Sequence, residues 1–140
     1  MPLIPLPFPD NLPYLDDYEH ARACAILRVA NQAEFCDECW DAIETGDIYE
    51  VAYSIGDPSA WRCVSCMRCR QDRNYLARHV ECWYYGGLDE QLCAVWDVAP
   101  TFELGNIIER RRFERDELSA TLADALRRVL EDNAPTGGER

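Results

Sequence analysis

Lysine is absent from this sequence of 140 residues, and all 14 basic residues are arginine. Against them stand 26 acidic residues, so the formal net charge is −12 at pH 7. Proteins bind phosphate backbones through Lys and Arg, so nucleic acid repels a chain this acidic at long range. Two interpretations of the acidity are open. In the first, the acidic residues keep the protein soluble, and the preference for arginine reflects a GC-rich genome or a high-salt cell. In the second, the acidic residues form a surface that docks on a basic partner or mimics nucleic acid.

Long apolar segments are also missing. No run of about 18 or more apolar residues occurs, so the sequence predicts no membrane-spanning helix. The N-terminal stretch Met1–Pro9 has no basic segment and is interrupted by prolines, which argues against a secretory signal. We therefore expect a cytoplasmic protein, in which eight cysteines favour metal binding or catalysis over disulfides.

Recognisable catalytic motifs are absent too. The sequence has no phosphate-binding glycine loop, no nucleophile elbow and no H-E-x-x-H pair of metal ligands. It contains only two histidines, and His20 lies beside Glu19 with no motif around it. The acidic residues are too scattered to single out a catalytic pair. The sequence therefore predicts a protein that is not an enzyme.

The chain is expected to form one small α+β domain between two less structured ends. Prolines at five of the first 15 positions predict an extended arm over residues 1–15. A single zinc-stabilised domain is predicted over residues 16–132, with a zinc module at about 34–83 and a helical part at about 88–132. Residues 133–140 are predicted to be a flexible tail.

Patterning within the domain predicts both strands and helices. A helix is expected from Asp16 or Asp17 to Asn31. The segment 48–55 is β-prone, and a turn at 56–59 leads to a return strand near Trp61, which together predict a hairpin. Further helices are predicted over residues 64–79, 89–99 and 106–132.

The last predicted helix carries an apolar stripe formed by Leu118, Leu122, Ala125, Leu126, Val129 and Leu130. Apolar residues at this spacing lie on one side of a helix. The stripe is interpreted as part of the core or as a surface for a partner helix, and the core is the preferred interpretation.

Most of the cysteines follow a spacing typical of metal sites. Two residues between cysteines let both thiolates of a tight turn face one ion, and zinc takes four N or S ligands in a tetrahedron. The predicted hairpin brings two such pairs together, which predicts one closed structural zinc site formed by Cys36, Cys39, Cys63 and Cys66. The isolated Cys24 and Cys93 are predicted to be buried as small hydrophobic residues.

The same region, residues 36–82, resembles a treble-clef zinc finger of the kind found in LIM domains and poly(ADP-ribose) polymerases. Those fingers place an I-x-x-G-[D/E] stretch after the first knuckle, as in Ile43–Asp47, and W-x-[H/C]-x2-C at the helix entrance, as in Trp61–Cys66. Cys63 stands where histidine is usual. The resemblance implies a treble-clef-like knuckle packed against helices, with zinc ligation. It leaves the function open, because treble clefs bind DNA, RNA and proteins.

Two other ligand assignments stay open. In LIM domains a second pair follows three residues on, where this chain has Cys69 and Asp72, and His79 with Cys82 would complete a second ion's ligands. A continuous helix over residues 66–80 would make these side chains hard to bring together. Alternatively, His79 and Cys82 bind the first ion.

The predicted function is a non-catalytic, acidic, zinc-stabilised interaction module, an adaptor or inhibitor that docks on a basic surface of a macromolecular partner. Residues 34–57 contain eight acidic residues and no base. The expected contact residues in this segment are Asp37, Glu38, Asp41, Glu44 and Asp47. Small acidic proteins with zinc knuckles are frequent among phage and mobile-element products, so a viral origin is an expectation from general character.

The alternative is a zinc finger that binds nucleic acid or regulates transcription. Residues 61–80 reverse the charge of the first half, with five arginines, from Arg62 to Arg78, against Asp72 alone. Aromatic residues nearby would stack on bases. The residues expected to carry this function are Arg68, Arg70, Arg73 and Tyr75.

Overall fold

The computed structural model describes residues 2–6 and 23–133, and in that part of the chain the predicted small α+β fold is confirmed. Its strands are β1 (Ala23–Val29), β2 (Glu34–Phe35), β3 (Ala42–Ile43), β4 (Ile48–Ser54) and β5 (Arg62–Cys66). Its helices are α1 (Met67–His79), α2 (Leu88–Val98) and α3 (Phe102–Asp132). Most of the extended arm predicted over residues 1–15, the start of the first predicted helix and most of the predicted tail lie outside the described residues.

A three-stranded antiparallel sheet forms the centre of the fold, in the order β1-β4-β5. The predicted hairpin is confirmed as β4 and β5. Residues directly opposite each other share one face of a sheet, and the faces alternate along each strand. Val51 and Val64 therefore lie on one face, where they are buried in the core, while Glu50 and Ser65 lie on the other face.

The prediction of a helix as far as Asn31 is wrong, because residues 23–29 form the strand β1. Cys24 and Ile26 are half-buried and alternate with exposed neighbours, a period of two that fits a strand. The alanines in this segment favour a helix locally. Pairing along the whole length of β4, from Ala23–Ser54 to Val29–Ile48, overrides that weak local preference.

The three helices predicted after the hairpin are confirmed as α1, α2 and α3. Two predicted starts are wrong, because residues 64–66 belong to β5 and α3 begins at Phe102. Their fully buried leucines, including Leu76, Leu88, Leu92 and Leu104, form one core cluster with Val51 and Val64. Ile4 packs against this cluster and forms a parallel bridge with Val80. Its N–H donates to the carbonyl of His79 at 2.9 Å.

The chain forms two compact units, Met1–Ile108 and Glu109–Arg140. In the described part of the second unit, the helix α3 continues to Asp132. The preferred interpretation of its apolar stripe as core is wrong, because Leu122, Leu126, Val129 and Leu130 are all exposed. In the described part of the chain, no helix is both long enough and apolar enough to cross a membrane.

Candidate metal centre

Four cysteines meet where the first knuckle approaches the N-terminus of α1: Cys36, Cys39, Cys66 and Cys69. Their sulfur atoms all lie within 4.8 Å of one another, and none of the four forms a disulfide. The Sγ atoms of Cys39 and Cys66 are 3.8 Å apart. A tetrahedron with metal–sulfur bonds of about 2.3 Å has edges of about 3.8 Å. The cluster therefore has the donors and the spacing for one metal ion.

The first two cysteines lie in a tight loop between β2 and β3, a short hairpin that the sequence analysis missed. The N–H of Trp40 donates to the carbonyl of Cys36 at 2.8 Å, and the N–H of Cys36 donates to the carbonyl of Asp41 at 2.9 Å. Trp40 has φ of 64°, the left-handed conformation that closes the loop. These bonds turn both thiols toward the same point.

Asp37 fastens this loop to the sheet. Its N–H donates to the carbonyl of Val64 at 2.8 Å, and its carboxylate accepts the N–H of Val64 at 2.7 Å. Because β5 leads directly into α1, the contact also places the loop beside the start of that helix. The first pair of cysteines is thereby held next to the second.

The other two cysteines belong to the first turn of α1. Cys66 is the N-cap residue, and its sulfur accepts the N–H of Cys69 at 3.5 Å. An N-cap side chain bonds the N–H three residues on, so this geometry brings residues 66 and 69 together. The N–H of Cys66 also donates to the sulfur of Cys36 at 3.3 Å. Thiolates are stabilised at a helix N-terminus by such N–H groups and by the helix dipole.

The prediction that Cys63 is a ligand needs correction, because Cys69 takes its place. Cys63 lies opposite Ala52 in the sheet, whereas Cys66 lies opposite Tyr49, so the two cysteines are on opposite faces. The sulfur of Cys63 is 4.0 Å from the Ser65 hydroxyl. Burial raises the pKa of Cys63 to about 12, which keeps it a thiol at neutral pH.

Spacing alone could not distinguish these two ligand sets. The sequence reads Cys63-x2-Cys66-x2-Cys69, so two overlapping C-x2-C pairs share Cys66. Both thiols of such a pair face one point in a turn or a first helical turn. Two cysteines that lie three residues apart on a strand face opposite sides of the sheet. The end of β5 at Cys66 therefore selects the second pair.

The other residues predicted for a second ion do not come together. The ring of His79 stacks on Tyr75 with centroids 4.1 Å apart, and its Nδ1 lies 2.8 Å from the Tyr75 carbonyl. Asp72 is buried within α1, and Cys82 is exposed beyond its end. Within the described residues the four-cysteine cluster is the one group with ligand atoms close enough for a metal.

The isolated cysteines also differ from expectation. Cys24 is half-buried on β1, and Cys93 is exposed on α2, so the prediction that both are buried is wrong. The period of α2 places Leu88, Leu92 and Val95 in the core and leaves Cys93 on the outer side.

Hydrogen bonds among the four cysteines of the cluster shift the pKa values of their thiols. The bond from Cys39 lowers the pKa of Cys36 to about 6. Contact with Cys36 lowers the pKa of Cys66 and raises that of Cys39. Cysteine binds metals as the thiolate, so the lowered pKa values of Cys36 and Cys66 favour the form that binds an ion.

A buried ion-pair network lies beside the cluster. The Arg73 guanidinium donates to Glu38 at 2.9 Å, to Glu50 at 2.8 Å and to the Ser65 hydroxyl at 2.8 Å. The side chains of Arg73 and Glu38 are only 4% and 1% exposed. Since Glu38 stands between Cys36 and Cys39, the network links the first knuckle to α1 and to the sheet.

This network corrects two sets of predicted contact residues. Glu38 is buried and paired with Arg73, so it is not part of an exposed docking surface. Arg73 and Tyr75 are likewise buried, with the Tyr75 hydroxyl 2.8 Å from Thr101 Oγ1, and Arg70 is paired with Glu50 at 3.0 Å. Of the predicted nucleic-acid set, only Arg68 is exposed.

The remaining predicted docking residues, Asp37, Asp41, Glu44 and Asp47, are exposed around the first knuckle. Two large aromatic side chains that the sequence analysis did not single out, Phe35 and Trp40, are exposed in the same segment. We call these six residues the knuckle surface.

The two candidate ligand sets predict different metal contents. Cys69→Ser should reduce the bound metal by one ion per chain, because three thiolates leave one position of the tetrahedron open. Cys63→Ser should leave the metal content unchanged, since this residue faces the other side of the sheet. Elemental analysis of both purified variants measures the effect. Loss of metal in Cys63→Ser alone would contradict the assignment.

Comparison with family models, curated proteins and solved structures finds no match to this chain.

Proposed function

We propose that this chain is a non-catalytic interaction protein in which one structural zinc ion rigidifies a knuckle, and that the knuckle surface docks on a basic face of a partner protein. The zinc proposal rests on the donor set. Four cysteines in a tetrahedral arrangement suit zinc, and a closed set with no open position is typical of a structural site. The cluster could hold one such ion through Cys36, Cys39, Cys66 and Cys69.

The arrangement of elements supports the resemblance to a treble clef. A knuckle hairpin supplies the first pair of cysteines, the longer hairpin β4-β5 follows, and the first turn of α1 supplies the second pair. LIM-type and poly(ADP-ribose) polymerase-type fingers are the finer assignment that we propose. This assignment predicts that the zinc ion stabilises the fold and that the protein surface recognises the partner.

Trp40 is the observation that carries the docking proposal. The residue is 68% exposed, although it occupies a left-handed conformation that glycine adopts without steric strain. An L-residue pays about 1–2 kcal/mol for that conformation. Trp is also among the residues most enriched at binding hot spots. A partner contact accounts for a large apolar ring at a strained, exposed position.

The charge around Trp40 favours a basic partner. Asp37, Asp41, Glu44 and Asp47 are exposed around it, and residues 34–57 contain no base. Carboxylates attract and orient an approaching basic surface, and the face of an indole ring binds arginine or lysine by cation–π attraction. Because the zinc site holds the knuckle rigid, little conformational entropy is lost on binding.

A synthetic peptide rich in arginine and lysine tests this proposal directly. Reversing two exposed acids, in Asp41→Arg with Glu44→Arg, should weaken peptide binding by about tenfold or more and leave the zinc content unchanged. Fluorescence anisotropy at several salt concentrations measures the affinity, which should fall as salt rises. The matched control reverses Glu81 and Asp97, which are exposed elsewhere in the first unit.

Trp40→Gly separates recognition from stability. It should weaken binding of the same peptide while the melting temperature stays the same or rises, because the positive φ suits glycine. Equal binding by the wild type, the Trp40→Gly variant and the charge-reversal variant would refute the docking proposal. Tight binding of an oligonucleotide that is lost in Arg68→Ala would favour the nucleic-acid function instead.

A further inference from the structure

One apolar helix face in the second unit of the chain is exposed. From Glu109 onward the described part of this unit is the helix α3. Four large apolar residues of its stripe, Leu122, Leu126, Val129 and Leu130, are between 56% and 63% exposed. Helices in proteins gain most of their stability from packing an amphipathic face. A contiguous apolar strip of this kind marks an interaction surface.

The spacing of the stripe is that of a two-helix seam. Leu118, Leu122, Ala125 and Val129 follow one another at intervals of four, three and four residues. This alternation keeps side chains on the line where two helices wrap around each other. The same line continues to Arg115, three residues before Leu118, and to Asp132, three residues after Val129. An apolar seam with a positive charge at one end and a negative charge at the other is the result.

The end charges decide which occupant fits. We propose that this face pairs with the same face of a second copy of the chain, with the two helices antiparallel. In that register Leu118 faces Val129 of the second copy, and Leu122 faces Ala125 of the second copy. Large side chains then meet smaller ones, which fills the seam evenly.

The antiparallel register also brings Arg115 opposite Asp132 of the second copy at both ends of the seam. In a parallel pair in register, Arg115 would face another Arg115 and Asp132 another Asp132, so like charges would repel at both ends. The seam is therefore complementary to itself in one orientation. This is the requirement for a two-fold symmetric dimer, in which the same patch serves both partners.

Sedimentation equilibrium of the full-length, zinc-loaded protein tests the dimer. The wild type should show a monomer–dimer equilibrium, and Leu122→Glu should weaken dimerisation by at least about tenfold, because it buries a charge in the seam. Ala120→Glu is the matched control. It adds the same charge to an exposed position on the far side of the helix, and it should leave the dimer intact. Circular dichroism checks that both variants keep the helix.

A charge exchange tests the orientation. Arg115→Glu should weaken an antiparallel dimer by about tenfold, and adding Asp132→Arg should restore it, because the opposite charges again face each other. In a parallel dimer Arg115→Glu would replace two facing arginines by two facing glutamates, so the repulsion and the affinity should stay about the same. That result overturns the antiparallel register.

A wild-type protein that stays monomeric at all concentrations, or a dimer unaffected by Leu122→Glu, overturns the proposal as a whole. None of these variants touches the knuckle surface, so a failure here leaves the docking proposal to its own test.

Discussion

Removing the metal should unfold the knuckle and the elements attached to it. Structural zinc in finger peptides contributes an apparent ~10–16 kcal/mol, whereas a typical domain has a net stability of about 5–15 kcal/mol. In this chain β2 and β3 are only two residues each. So short a pair of strands is not stable alone. The cysteine cluster joins this hairpin to α1, so both should lose order together.

Cys39→Ser is the substitution that tests this expectation. It should lower the zinc content by one ion per chain and abolish the cooperative unfolding transition of the zinc module, followed by circular dichroism during heating. A chelator added to the wild-type protein should have the same effect. Cys24→Ser and Cys93→Ser serve as controls, because neither cysteine belongs to the cluster, and both should keep the metal and the transition. Metal-free protein with an undiminished transition would refute a structural role for the site.

Breaking the buried network at Arg73 should be the most destabilising change outside the metal ligands. Arg73→Met keeps a side chain of similar length but leaves the buried carboxylates of Glu38 and Glu50 without this partner. Removing one member of a buried ion pair costs about 3–5 kcal/mol, because the remaining charge has been taken out of water. Arg73 also lies over the ring of Tyr85, 4.6 Å from its centroid, and that contact is lost as well.

Arg70→Met is the matched control for Arg73→Met. Arg70 pairs with the same Glu50, but its side chain is 36% exposed. Solvent screens such a pair, so the loss should be about 1 kcal/mol or less. Urea unfolding of both variants gives the difference in the free energy of unfolding. Adding Glu38→Gln to Arg73→Met should recover part of the loss, since it removes a buried charge. Equal losses for the two arginine variants would show that burial of Arg73 contributes little.

Several elements of this protein follow from local sequence alone. The turn residues at 56–59 between two β-prone segments predict the hairpin of β4 and β5. Gly86 and Gly87 before an amphipathic segment, and Pro100 after it, predict the position of α2. In these cases the residues that determine the structure lie within a few positions of it, so no distant contact is needed.

Tertiary structure decided the features that depend on distant partners. Residues 23–29 form a strand because β4 offers an edge along their whole length, a contact that helix propensity does not register. Glu38 and Arg73 are buried because each neutralises the other across 35 positions of sequence, whereas charge counting would place both at the surface. The exposure of the apolar face of α3 was also decided by the tertiary structure, because the spacing of its apolar residues is the same as in a helix that packs in a core.

One pair of metal ligands follows from the local sequence, and the other pair was decided by the tertiary structure. The Cys36-x2-Cys39 spacing in a turn is sufficient to predict that these thiols face one point, because the loop between them is closed by its own backbone hydrogen bonds. The second pair depended on where β5 ends and α1 begins. Cys63 and Cys66 are three residues apart on the strand β5, so they face opposite sides of the sheet, whereas the helix cap turns Cys69 toward Cys66. The sequence contained both pairs, and only the fold, by placing that boundary at Cys66, chose between them.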